Sequence, residues 1–376
     1  MLLKPDYEGG SIVNLISSVS KSLGGKPMYK PLRGLNIKDL TDSKNLVLIV
    51  IDGLGYDYLT TTGKGTFLQN NIKQKITSVF PTTTASAITA FRTGLPTQQT
   101  GYTGWFVYLK ELGVVSKILP FSARFGGESF SKNKVSKSKF FPEPFYNKLK
   151  VKTYNITHEN IAKADLRNRA YSYKNMAGFF NQIKKVIKIK GRKYISAYWP
   201  EFDSIAHSKG LKTSLLKKHL KHIDKKVELL VKSLKGTKTT LLITADHGLM
   251  ECHNHLNINN YPDIYDCLAL PFSGDERSVY CYLKYGRAKE FERLVKTKLK
   301  NKCDIYKSEF LVKQNLFGLY KPDKKFLDRI GDYTLIAKKG YNIRDFLVHE
   351  KTEFNKGSHS GLSSEELYVP LIVIKT

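Results

Sequence analysis

An apolar run with no polar break, LVLIVI at residues 46–51, constrains this chain's fold more than any other feature. A strand of that kind has no face to give to water, and such strands belong to parallel sheets covered by helices on both sides. YISAYW at 194–199, TTLLITA at 239–245 and YVPLIVI at 368–374 read the same way, with KITSVF at 75–80 as a further strand. Between the second and third runs, Leu211, Leu215, Leu216, Leu220, Ile223, Val227, Leu230, Val231 and Leu234 recur at three- and four-residue spacing. That period predicts a long amphipathic helix, stopped near Gly236. Residues 85–93 predict a helix of small residues ending at Gly94-Leu95-Pro96. The alternation of such strands and helices predicts an α/β fold with a mostly parallel central sheet.

Two regions break the rhythm. Residues 104–150 hold aromatics, Gly, Pro and many lysines with little periodicity, and read as an irregular, lid-like segment. Residues 250–350 contain SVYCYLKY, CDIYKSEF and DYTLIAKK, read as strands around a helix near 287–300. This second region predicts a smaller α+β cap inserted at about 255–350 into a single catalytic domain spanning 1–376.

In an open parallel sheet the carboxyl ends of the strands share one edge, where residues that follow strands collect. Asp52 follows LVLIVI, Thr84 lies in FPTTTAS, Asp203 and His207 lie in EFDSIAH, Asp246 and His247 follow LLITA, and His359 lies in GSHSG. Asp203 and His207 are four residues apart, which puts both on one face of a helix. Three Asp and three His divide into two sets of three around a hydroxyl. Zinc accepts Asp oxygen and His nitrogen and keeps a position open when catalytic. Two such ions about 3.5–4 Å apart can hold the attacking and leaving oxygens of a phosphoryl transfer. A threonine hydroxyl is a poor nucleophile unless activated, and coordination activates it.

Bulk properties bound the partners. The 376 residues can bury a large core. No apolar run approaches the ~18 residues of a membrane span, and the N-terminus lacks the pattern of a signal peptide, so a cytoplasmic protein is expected. Four cysteines, Cys252, Cys267, Cys281 and Cys303, show no CxxC spacing and predict buried thiols. The formal net charge of +29 favours an anionic partner. Nucleic acid would answer the same charge, but no nucleic-acid-binding motif accompanies it. His253, His255, His219 and His222 are expected in loop and helix-surface roles. Trp105, Phe106, Tyr108, Phe121 and Phe125 could stack on a nucleobase or pack under a cap, and Arg92 and Arg124 could clamp a phosphate or serve the fold.

From IDGLG near residue 51 to HSGLSSEELYVPLIV at 359–373, the ordered set of motifs resembles the alkaline phosphatase superfamily, and most of all its type I phosphodiesterase/nucleotide pyrophosphatase branch. The resemblance implies an alkaline-phosphatase-like three-layer sandwich. It also implies a metal-dependent hydrolase of phosphate diesters or nucleotide pyrophosphate bonds, working through a phospho-threonine intermediate. The family pattern places the nucleophile ten residues before the Gly of a TG pair; here Thr93-Gly94 points to Thr84 rather than Thr82 or Thr83. By the same carry-over, Asp52, Asp246 and His247 would bind one metal, and Asp203, His207 and His359 the other. Zinc is the default for such sets, and manganese suits them as well. The implied partner is a small anionic phosphate ester, a nucleotide among the candidates. Two departures stand out: the branch often has Asn three residues after the nucleophile, where this chain has Ala87, and His-Gly after the TG turn, where it has Thr100-Gly101. Contacts to the phosphoryl oxygens would then come from backbone amides, metals or another side chain. Alternatives are a phosphomonoesterase or phosphonate hydrolase on the same metals, and an inactive binding protein of this fold.

Overall fold

A computed structural model describes residues 2–133, 135, 136, 140, 142–162 and 170–376. Among these, seven strands form the main sheet, in the order Ile72–Thr77, Tyr368–Lys375, Thr239–Thr244, Asn45–Ile51, Lys193–Trp199, Lys152–His158 and Ala170–Tyr173. Six run in the same direction, and Tyr368–Lys375 runs against both of its neighbours. Asn45–Ile51 lies at the centre with every residue buried, as its unbroken apolar sequence requires. Register brings the carboxyl ends of three strands level, because Ile51 pairs with Trp199 and Val50 with Thr244. Asp52, Pro200 and Ala245 therefore leave the sheet side by side.

The long helix predicted between the runs is Ser214–Ser233, and it buries Leu216, Leu220, Ile223, Val227 and Leu230. Thr213 caps its start, accepting from the Leu216 amide, and Gly236 turns the chain just beyond it at φ +76°. The small-residue helix spans Thr84–Thr93 and ends on Gly94 at φ +71°, a conformation that glycine adopts without a Cβ penalty. Small side chains suit this helix because it packs closely on Ile12–Ser22, whose apolar residues are all buried.

The region read as irregular and the region read as an inserted cap meet in one structure. Strands Phe106–Leu109, Val114–Lys117 and Ser122–Ala123 continue a second sheet whose other strands are Ser273–Asp275, Ser278–Cys281, Tyr333–Ala337 and Cys303–Lys307. The join is the pairing of Gly274 with Phe106. A Cβ on Gly104 would come within 2.6 Å of the Gly274 Cα, so the crossing needs two glycines. The helix expected near 287–300 is Ala288–Lys298. Among the described residues no helix is long and apolar enough to cross a membrane.

A buried ion pair ties the second sheet to the segment after His359. Arg277, 1% exposed, donates Nε to Glu366 Oε1 at 2.7 Å and Nη2 to Oε2 at 3.0 Å, and Glu366 Oε1 also accepts from the Gly361 amide at 2.7 Å. Removing one partner of such a pair strands the other charge out of water. Glu366→Ala should therefore lower unfolding free energy by about 3–5 kcal/mol, measured by urea titration at unchanged m value. A change under about 1 kcal/mol would show that the guanidinium finds other compensation.

Candidate active site

The loop after the central strand turns at Gly53, at φ +74°, where a Cβ would sit 3.1 Å from the Asp203 Cβ. Two residues on, a Cβ at Gly55 would lie 2.6 Å from the Gly248 Cα. IDGLG and DHG thus need their glycines because the two loops touch, and that contact sets Asp52 beside Asp246 and His247. Gly53 N donates to Asp246 Oδ1 at 3.1 Å, and His247 Nε2 lies 3.4 Å from both Asp52 Oδ1 and Asp246 Oδ2. Pro200 starts the helix Glu201–Lys209, whose inner face presents Asp203 and His207 with Nε2 and Oδ2 2.9 Å apart. His359 comes from the opposite direction. It precedes the one strand that runs backwards, so that strand's amino end lies at the same edge as the carboxyl ends of the others.

All seven residues singled out in the sequence gather here. Ligand atoms of Asp52, Asp246 and His247 lie within 4.8 Å of one another, as do those of Asp203, His247 and His359. His247 stands between the two groups, and His207 joins the second through Asp203. Thr84, first residue of its helix, has Oγ1 3.1 Å from His247 Nε2 and 3.5 Å from Asp52 Oδ1.

The three imidazoles are fixed alike, each through Nδ1 by a backbone carbonyl. Nδ1 of His247 lies 3.0 Å from the Gly248 carbonyl, that of His207 2.7 Å from the Gly357 carbonyl, and that of His359 3.1 Å from the Thr82 carbonyl. A carbonyl only accepts, so each Nδ1 carries a proton, and a ring that is neutral then offers its lone pair at Nε2. Asp203 Oδ1 and Asp246 Oδ2 are buried with no hydrogen-bond partner among the described residues. Asp52, Asp203 and Asp246 are 3%, 7% and 0% exposed, a concentration of carboxylate that calls for nearby positive charge or for protonation. Burial and then the charges of Asp246 and Asp203 push the Asp52 carboxyl up, while burial and then His247 push His359 well down. Burial opposes ionisation of Asp203, but His207 outweighs it and holds the carboxyl low; in return, against the same burial, His207 is raised to about 9. Cations would meet each of these conditions, and the donor set fits two divalent ions.

Some contributors carried no sequence signal. Tyr198, a strand residue, donates its hydroxyl to Asp52 Oδ2. Asp275, in the second sheet, accepts from Thr83 Oγ1 at 2.6 Å and from the Trp105 amide at 3.0 Å; burial pushes it up to about 6. Thr82 links the Thr84 segment to the one holding His359, donating Oγ1 to the Gly361 carbonyl at 2.9 Å and accepting from the Ser360 amide at 3.1 Å.

A cavity of about 1440 Å3 opens over the cluster, with Trp105, Phe106, Phe121 and Arg92 in its walls. Tyr108 packs instead on Tyr282, ring centroids 5.1 Å apart, and Phe125 is 62% exposed. Arg124 reaches the cavity wall but is buried in ion pairs with Asp345 and Glu350, both at 2.8 Å, so its guanidinium serves the fold. His219 accepts from the Trp199 indole at 3.1 Å, His222 and His253 are exposed, and His255 stacks on Phe354. The four cysteines are buried and free.

A family model for type I phosphodiesterase/nucleotide pyrophosphatase matches residues 46–362. No curated protein matches the chain by sequence. Murine ectonucleotide pyrophosphatase/phosphodiesterase 5 superposes with a TM-score of 0.64 at 20% identity over 87% of each chain, and an inactive form of it was solved in complex with AMP. Phosphonoacetate hydrolase from Sinorhizobium meliloti, solved with phosphonoacetate, superposes with a TM-score of 0.64 at 16% identity, over 88% of this chain and 90% of that one. At these identities the superpositions bear on the fold.

Proposed function

The chain belongs to the type I phosphodiesterase/nucleotide pyrophosphatase family, and from that membership we propose that it is a two-metal hydrolase of phosphate diesters or nucleotide pyrophosphate bonds with Thr84 as nucleophile. The observation that carries the metal half of the reading is that His207, His247 and His359 are each fixed through Nδ1 by a backbone carbonyl, within two clusters of buried carboxylates and imidazoles. Asp52, Asp246 and His247 would hold one ion, and Asp203, His207 and His359 the other. Bound there, the pair would supply positive charge to the attacking and departing oxygens.

The protein's own groups do the rest. Thr84 Oγ1 forms the new bond to phosphorus as the bond to the departing oxygen breaks, and water later cleaves the phospho-threonine. Thr84 sits at the amino end of a ten-residue helix, so the transferring group lies where first-turn amides point and the helix dipole is positive. Ala87, 0% exposed, offers no side-chain donor, which leaves the phosphoryl oxygens to those amides. Trp105 and Phe106 give the cavity aromatic faces for a base, and the net charge of +29 draws anions toward it.

Hydrolysis of p-nitrophenyl phosphate, bis-p-nitrophenyl phosphate and thymidine monophosphate p-nitrophenyl ester, with zinc or manganese and with or without chelator, tests this reading. The nucleotide ester should be cleaved fastest, and chelator should stop turnover until metal is restored. Preference for the monoester would make the protein a phosphatase. Turnover undiminished by complete chelation would remove the metals from the mechanism. Failure on all three esters with cleavage of phosphonoacetate would move the assignment to a phosphonate hydrolase.

A further inference from the structure

We propose that Asp275 is a positioning residue that keeps the amino end of the Thr84 helix uncapped, so that its amides can receive phosphoryl oxygens; this rests on the hydrolase reading above. Threonine, serine and asparagine at the residue before a helix ordinarily turn their side chains back onto the first-turn amides. Elsewhere in this chain they do so: Ser11, Asn36, Thr66, Asn175, Thr213 and Ser363 each accept from an amide of their own helix. Among the described α-helices, the Thr84 helix alone has such a residue before it, Thr83, and no side-chain cap.

The reason is Asp275. Thr83 Oγ1 donates to Asp275 Oδ2 at 2.6 Å, which turns the hydroxyl toward the second sheet. The same oxygen is fixed by the Trp105 amide at 3.0 Å, where Gly274 pairs with Phe106. Ala87 is the first residue of the helix whose amide finds a backbone carbonyl, Thr83 O at 2.9 Å. A second observation is an unsatisfied buried polar atom at this end. The unpartnered, fully buried Asp246 Oδ2 lies 3.4 Å from His247 Nε2, which lies 3.1 Å from Thr84 Oγ1. The uncapped turn therefore faces the centre of the site. With Ala87 where a side-chain donor could have stood, the free amides take over that duty.

Asp275→Ala would release the Thr83 hydroxyl to accept from the Ser86 amide, withdrawing one donor. Loss of one preorganised donor to a developing oxyanion costs about 10²–10³-fold in kcat; with the Ala85 amide still free, we expect about 10- to 100-fold, with a smaller change in KM. Thr83→Ala added to Asp275→Ala removes the cap and should recover at least about tenfold of that loss. Thr83→Asp, which cannot share a bond with Asp275 and is a strong cap, should reproduce the loss if Asp275→Ala does not fold. Amide exchange followed by NMR gives a readout independent of turnover: Ser86 should exchange more slowly in Asp275→Ala and Thr83→Asp than in wild type, and return in the double variant. Wild-type kcat in both single variants, a double variant no faster than Asp275→Ala, or unchanged exchange at Ser86 would overturn the proposal. A wild-type protein inactive on every ester would instead sink the hydrolase reading, and the exchange result would stand separately.

Discussion

Thr84→Ala should abolish turnover, lowering kcat by at least about 10³-fold, as expected when a nucleophile is deleted from a site whose parts act as a unit. The hydroxyl is 3.1 Å from His247 and 3.5 Å from Asp52, yet neither residue depends on it for position. His247 is held through Nδ1 by the Gly248 carbonyl, and Asp52 by Tyr198. Metal content by elemental analysis should thus stay near wild type, and Thr84→Ser should keep part of the rate. Normal turnover in Thr84→Ala would remove the residue from the mechanism.

Asp203→Ala combined with His207→Ala should lower bound metal from two ions toward one and reduce kcat by at least about 10²-fold. The same variant should be no less stable than wild type in excess chelator. Removing both partners of the buried Asp203–His207 pair together leaves neither charge stranded, and Asp203 is one of the charges that, after burial, raise the Asp52 carboxyl, so its removal also relieves a repulsion. With metal present the order should reverse, because wild type then gains the binding energy of the second ion. Unchanged stoichiometry, or equal destabilisation with and without metal, would return both residues to a structural role.

The sequence makes the sheet legible because the runs at 46–51, 194–199 and 239–245 are apolar on both faces, and a polar residue just beyond such a strand stands out. Asp52, Asp246 and His247 were visible for that reason, and Asp203 with His207 for their helical spacing. His359 was harder to place, since it precedes its strand; only the reversed direction of Tyr368–Lys375 brings it to the edge. Asp275 and Tyr198 were silent because each acts through a contact far away in sequence, 192 residues to Thr83 and 146 to Asp52. The pairing that fuses 104–150 to the later insertion rests on Gly274 and Phe106, which no periodicity announces.

Strand order has a consequence for how the protein is made. Among the described residues, Ile72–Thr77, which leads to Thr84, pairs into the main sheet only through Tyr368–Lys375, which is inserted between it and Thr239–Thr244. On the ribosome the aspartates at 52, 203 and 246 can come together long before that last strand emerges. Thr84 joins them through the sheet only when it does, and His359 arrives with it. Synthesis must therefore pass residue 368 before the sheet can hold Thr84 beside the aspartates, and a nascent chain stalled short of residue 359 lacks a residue of the site.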